Sequence, residues 1–413
     1  MGSGSQPDPA GRAPQRPALS SLFGPRPPAA VVVGVSTLAI AFNSAYGYVP
    51  GFMATAMRAD LGIERWHVGL LVSLYFGCAG LASLTAGRVC DYLGGRFAVA
   101  AGLALVVLAS GVAAGFGGYA PLPAAGVLAG FGYSLNNVGT NVAVAGAVSS
   151  RRRAVALSTR SSGILLMSAL TAAVAPTVAD RWNWEWVYAG LGAGGMLMAA
   201  AALGVLPDDR GEPHELPQRR AQRLPKGFVW FPVAAFCLIA GAQPLLSWTV
   251  PYAEESLGLS PTWAGLLVGA SSAVGAVAMV STGVGADRLG AHRRIRLLVV
   301  LVAGTGASCL LLAGGRFLGL PVAMVGVLGG IILQFASIGT MHAAVVDRAG
   351  AAVARATAAT MTGYYLGALV SPVAFGAFVD GVGSYEWAWL ILGILLGASA
   401  VAFRLAGRIA PVD

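Results

Sequence analysis

The chain has 413 residues, 56% of them hydrophobic and only 10% charged, with a mean hydropathy of +0.73. That balance cannot clothe a water-soluble surface, so lipid is the solvent for most of the chain. The net charge of +9 comes from short basic clusters between apolar runs, with no aromatic-rich basic stripe, which argues against a nucleic-acid binder and for membrane topology.

In chain order, residues 1–28 (MGSGSQPDPAGRAPQRPALSSLFGPRPP) are rich in Pro, Gly, Ser and Arg and lack the apolar core of a secretory signal. They read as a disordered cytoplasmic tail. A helix needs about 20 mainly apolar residues to cross a bilayer, and twelve stretches meet that length. Six are predicted near 30–53, 66–86, 97–117, 121–148, 161–179 and 185–206. The segment 207–227, PDDRGEPHELPQRRAQRLPKG, has the prolines and mixed charges of a solvated linker. Six more spans are predicted near 228–252, 262–285, 295–315, 318–343, 358–379 and 386–405, followed by a short tail at 409–413.

The expected fold is therefore an all-α integral membrane protein with twelve transmembrane helices. Its halves are 29–206 and 228–408, joined by a cytoplasmic linker. Lys and Arg are retained on the cytoplasmic side of short loops. With the N-terminus inside, 22 basic residues fall on that side, and only Arg58, Arg65, Arg181 and Arg316 fall outside. Both termini are expected in the cytoplasm, at the plasma membrane. The four cysteines, Cys78, Cys90, Cys237 and Cys309, are too scattered for a disulfide framework or metal site, and no cofactor is expected.

An internal repeat appears at an offset of 196 residues. LGIERWHVGLLV from Leu61 matches LGLSPTWAGLLV from Leu257, and 11 of 34 positions are identical between 61–94 and 257–290. The same offset puts Pro176 on Pro372. Six spans per repeat is an even number, so the halves run parallel, related by an axis along the membrane normal.

Two polar turns punctuate equivalent places: GRVCDYLGGR at 87–96 and GVGADRLGAHRR at 283–294. A twelve-span chain with these turns after spans 2 and 8 resembles the major facilitator superfamily. The family's G-x-x-x-D-[RK]-x-G-[RK]-[RK] motif maps onto Gly87, Asp91, Gly94 and Arg96, and onto Gly283, Asp287, Arg288, Gly290 and Arg293. Tyr92 and Gly95 stand where the family carries basic residues. The resemblance, covering roughly 29–408, implies alternating access, with the motif aspartates closing the cytoplasmic side against the N-termini of spans 11 and 5. A helix N-terminus attracts an anion through its free amides and partial positive charge.

Polar side chains inside lipid-length helices face cavities or other helices. By helical spacing the substrate candidates are Asn43 and Tyr46 in span 1, and Tyr133, Asn137 and Asn141 in span 4. Span 7 adds Gln243 and Trp248, span 10 adds Gln334, Ser337 and Met341, and span 11 adds Tyr364. Hydrogen bonding between helices is the competing reading for each. Pro244 and Pro251 are expected to break or bend span 7. No charge lies in the middle of span 1, 4, 7 or 10, which favours a neutral, zwitterionic or weakly amphiphilic solute.

The titratable groups available for proton coupling are Glu254 and Glu255 outside span 7, Asp180 and Asp380 at the outer ends of spans 5 and 11, and His342, for which an interfacial role beside Asp347 is the competing reading. The expected function is secondary active transport of a small organic solute, with proton-coupled uptake ahead of drug or metabolite efflux by antiport. Beyond solute, protons and the lipid bilayer no partner is expected, and the chain is expected to act as a monomer. No nucleophile–base pair, HExxH or phosphate loop supports an enzyme, and no soluble output domain supports a receptor.

Overall fold

The computed structural model describes residues 27–149, 152–207 and 223–410. Most of the predicted N-terminal tail, linker residues 208–222, Ser150, Arg151 and the final three residues lie outside the described residues. Among the described residues every regular element is helical. In chain order these are α1 (Ala29–Phe52), α2 (Ala54–Leu61), α3 (Arg65–Leu93), α4 (Gly95–Gly115), α5 (Leu122–Ala147), α6 (Arg153–Arg181) and α7 (Trp184–Val205). They continue as α8 (Trp230–Ser247), α9 (Thr249–Glu255), α10 (Pro261–Asp287), α11 (Ala291–Leu318), α12 (Leu320–Ala349), α13 (Val353–Val382) and α14 (Tyr385–Ala406).

Twelve of these helices have at least 18 residues, and eleven are also apolar enough to cross a membrane. The exception is α5, whose 26 residues include Tyr133, Ser134, Asn136, Asn137, Thr140 and Asn141. Its length matches its neighbours, and its polarity is what sets it apart.

Local chemistry fixes the breaks. Gly94 has φ 77°, a conformation that costs a glycine little, and it alone separates α3 from α4. Pro50 lies inside α1, which yields to α2 at Met53. The predicted break in span 7 falls at Trp248, between Pro244 and Pro251, and separates α8 from α9. Ser260 caps α10 by accepting from the Trp263 amide, and Asn183 caps α7 by accepting from the Trp184 amide.

Packing repeats along the chain. In the first group of helices α1 packs on α5, α6 and α7, α4 on α5 and α7, and α3 on α5. In the second group α8 packs on α12, α13 and α14, α11 on α12 and α14, and α10 on α12. Two large seams join the groups, α3 against α13 and α6 against α10. The face holding the start of α1 and the end of α14 is called here the terminal face, and its opposite the distal face.

Both seams are tight in their distal halves because small residues let backbones meet. A Cβ on Gly69 would lie 2.3 Å from the Pro372 carbonyl oxygen, and one on Gly265 would lie 2.4 Å from that of Ala172 and 3.1 Å from the Pro176 ring. Gly69 and Gly265 are equivalent in the 196-residue repeat, as are Pro372 and Pro176. The sequence repeat thus becomes a pair of matching interhelical contacts. α1 and α8 also meet, with Gly51 against the Ser247 backbone.

Candidate functional site

The distal ends of the seams carry an ionic knot between the two groups of helices. Arg65, the first residue of α3, donates Nη1 to Asp380 of α13 at 3.2 Å, Nη2 to Glu255 of α9, and Nε to the Tyr385 hydroxyl at 3.0 Å. Its guanidinium carbon lies 5.3 Å from the Tyr385 ring centroid. Arg58 of α2 donates to Glu255 at 2.6 Å, and the Trp66 amide donates to Asp380 at 2.9 Å. The Arg65, Glu255 and Asp380 side chains are only 15–21% exposed, so these charges are less screened than a surface pair. Beneath the knot the Trp248 indole donates to the Pro372 carbonyl at 3.0 Å.

Glu254 of α9 sits beside this knot, past the distal end of α8. Burial pushes its carboxyl up from 4.5 to about 7, and the like charges of Glu255 and Asp180 add to the rise.

Toward the terminal face the same helix faces come apart. On α3 the stripe that meets α13 runs through Gly69, Ser73, Gly77 and Gly80, which contact Pro372, Val373, Leu369 and Tyr365. One turn on, Leu84 is 75% exposed, a Cβ on Gly87 would meet nothing, and Asp91 is exposed. On α10 the equivalent stripe meets α6 at Gly265 and Gly269, whereas Val280 is 50% exposed and Gly283 faces open space.

The motif residues therefore sit at separated ends. Asp91 makes no hydrogen bond or ion pair among the described residues, and Arg355, near the start of α13, is likewise exposed. The expected contact of Asp91 with α13 is not made in this conformation. Gly94 serves the α3–α4 turn, and Arg96 lies with its guanidinium carbon 5.6 Å from the Phe97 ring centroid. Asp287 ends α10, and its side chain lies outside the described residues. Arg288 and Arg293 are exposed, and Gly290 precedes α11. The arginine engaged there is Arg294, which pairs with Asp347 of α12 at 2.6 Å.

The interior sorts the substrate candidates. Asn43 donates to the Gly102 carbonyl at 3.3 Å, a bond from α1 to α4. Tyr46 packs between Tyr75 and Tyr188, with ring centroids 6.2 and 5.2 Å away. Trp248 stacks on Phe375 and is buried, as is Met341. Gln243 and Gln334 are buried, and the Gln243 Nε2 and Gln334 Oε1 atoms have no hydrogen-bond partner among the described residues. Ser337 bonds its own helix at the Gln334 carbonyl, and Asn141 is exposed. His342 is exposed near the terminal end of α12, its Nδ1 2.8 Å from the Ile338 carbonyl oxygen, beside a pocket of about 170 Å³ shared with Met341, Thr357 and Thr360.

Tyr133 and Tyr364 belong to an aromatic belt that crosses between the two groups of helices. Tyr133 of α5 packs on Tyr75 of α3 with ring centroids 5.8 Å apart, and Tyr365 of α13, whose ring lies 5.6 Å from that of Tyr364, meets α3 at Gly80. Asn137, one turn beyond Tyr133, accepts from Arg160 of α6.

Arg160 is the site residue that spacing misses. Counted with the cytoplasmic basic cluster, it instead turns inward and is 3% exposed. Arg58 and Arg65 are missed similarly: they are exceptions to the positive-inside pattern, a signal they share with Arg181 and Arg316, which are exposed and form no ion pair among the described residues.

Comparison with known proteins places this geometry. Residues 34–372 match the sequence model of the Major Facilitator Superfamily. A named probable sulfoacetate transporter, SauU of Cupriavidus necator, is 28% identical over 185 residues, which is 43% of this chain and 42% of that protein. The chain thus spans less than half the length of that relative in the match. A crystal structure of a D-xylose–proton symporter superposes with a TM-score of 0.74 at 15% identity, covering 92% of this chain and 99% of that one. A bacterial homologue of the human lysosomal transporter Spinster, in an inward-facing and occupied conformation, gives 0.74 at 16% identity, covering 94% and 98%. Helix order, paired seams and the match over most of the sequence agree: the chain belongs to the Major Facilitator Superfamily.

Proposed function

We propose that this chain is a twelve-span secondary active transporter that carries a small organic solute into the cell by alternating access, coupled to protons. One observation carries the reading: each seam is sealed over its distal half and parted over its terminal half along a single continuous helix stripe. With the basic residues assigned to the cytoplasm, the terminal face is cytoplasmic and the structure is inward-open. Rocking the two groups of helices would part the Arg65 knot and bring Asp91 to the N-terminus of α13, and Asp287 to that of α6.

Glu254 supports a link between protons and outer closure. Its carboxyl, at about 7 in the closed form, takes up a proton from the outer side as the knot closes around it and returns it to that side on reopening, so closure, the step that commits solute to entry, is easier in acid. His342, exposed on the other face, is well placed only for exchange with the cytoplasm. The similarity to a sulfoacetate transporter makes small sulfonated and carboxylated acids the first solutes to examine. The middles of α1, α5, α8 and α12 carry no charge, but α6 supplies Arg160 beside them, so an anionic solute is not without a partner.

Reconstitution in liposomes tests the reading. The expected result is accumulation of a solute that rises with an acid-outside proton gradient and collapses with a protonophore. Absence of flux for every member of a broad metabolite panel would contradict transport, and gradient-independent accumulation would contradict proton coupling.

A further inference from the structure

Arg160 lies seven residues into α6, about 10 Å along the helix from its first residue, and its head group points at α5. Nε and Nη2 donate to the Thr140 hydroxyl at 3.0 and 2.7 Å, and Nη2 also reaches the Asn137 carbonyl at 3.0 Å and side-chain oxygen at 2.7 Å. Every acceptor is neutral. Among the described residues no carboxylate lies within ion-pairing distance of it.

A cation buried without a counter-ion is costly, and more so within a lipid-length bundle. A side chain needed only to tie α6 to α5 could be a glutamine, which would make such bonds without the cost of desolvating a charge. The guanidinium is also held in one orientation, because Asn137 and Thr140 lie on one face of α5 and fix two of its three nitrogens. The third, Nη1, has no acceptor among the described residues and is not among the atoms sealed from solvent. Pre-organised forks of this kind suit planar or tetrahedral oxyanions.

Tyr133 lies one turn from Asn137, the residue that holds Arg160, and packs on Tyr75 of α3, while Tyr364 and Tyr365 come from the opposite group of helices with Tyr365 against Gly80 of α3. We propose that Arg160 supplies the missing charge partner from the solute: it anchors the carboxylate or sulfonate of a small organic anion at the edge of this aromatic belt. The proposal rests on the transporter reading above and adds the chemical class of the cargo.

The test uses the purified full-length protein, with propionate and ethanesulfonate as probes and propionamide as the neutral control, read by ligand-dependent thermal unfolding at constant ionic strength. Both anions are expected to stabilise the wild type saturably and propionamide to have no effect. Arg160→Gln is expected to weaken both anions at least tenfold. Arg160→Lys, which keeps the charge and loses the fork, is expected to weaken them several-fold and serves if the glutamine variant does not fold. No saturable shift with either anion, equal binding of propionamide, or unchanged anion affinity in the lysine or glutamine variant would overturn the proposal. Saturable anion binding without any flux in liposomes would instead contradict the transporter reading and leave the anion site standing. Flux of a neutral solute unaffected by Arg160→Gln would do the reverse.

Discussion

The α3–α13 and α10–α6 seams are built from equivalent positions, yet their distal ends differ in chemistry. Gly69 against Pro372 repeats as Gly265 against Ala172 and Pro176. The first seam adds Arg65, Glu255, Asp380 and the Trp66 amide, whereas the second adds one bond between the Thr177 and Thr262 hydroxyls at 3.0 Å. Close backbone approach thus follows the repeat, because removing a side chain on one helix of each half serves both seams alike. Charge does not follow it. At their distal ends one seam holds a half-buried ionic cluster and the other a single pair of hydroxyls.

That contrast sets the size of expected effects. Gly69→Val and Gly265→Val should be damaging to the same extent, since each forces a Cβ onto a carbonyl oxygen. Overpacking of this kind costs about 1–3 kcal/mol, and the outer face should become reactive to an impermeant thiol reagent at a nearby reporter cysteine. Unequal effects would break the proposed equivalence. Next, Arg65→Gln leaves Glu255 and Asp380 without their shared partner and should favour the outward-open form by about 1.5–3 kcal/mol, the range for a hydrogen bond to a charged group. Thr177→Ala on the other seam should shift the same labelling by less than about 1 kcal/mol.

The pH response is a third consequence of the charged seam. A carboxyl raised from 4.5 to about 7 in the closed form holds its proton better there than when hydrated. Outer closure should therefore be strongest in acid, weaken as pH rises from 4.5 to about 7, and level off above. Glu254→Gln should flatten that profile. The smallest effect is expected at the terminal face: Asp91→Asn removes an anion from a helix N-terminus only in the opposite conformation, and should favour the inward-open form about two- to tenfold. Its sign is opposite to that of Arg65→Gln, so equal signs would break the alternation.

The fold is legible in the sequence because hydropathy, arginine placement and the 196-residue repeat each constrain it independently. Even the one helix that fails the hydropathy criterion, α5, fails for a reason visible in GYSLNNVGTN. The interior is harder to read. Where almost every helix face is apolar, spacing says that Asn43 and Tyr46 share a side but not which neighbour they meet. The structure turns Asn43 to a carbonyl of α4 and Trp248 to one of α13. Arg160 is obscure for another reason: a basic residue at a span's cytoplasmic end looks like a topology signal, and only packing shows its head group folded inward onto Asn137 and Thr140.

The most direct test is a pair of spin-label distance distributions in lipid, one at each face. Labels at Trp182→Cys and Trp263→Cys report the distal ends of α6 and α10, and labels at Tyr92→Cys and Arg355→Cys report the terminal ends of α3 and α13; all four positions are exposed. Alternating access predicts a short distal and a long terminal distance in the resting protein. Arg65→Gln should populate the reverse, so that one distance lengthens as the other shortens. Distances that change together, or a variant that leaves both distributions unaltered, would contradict the account.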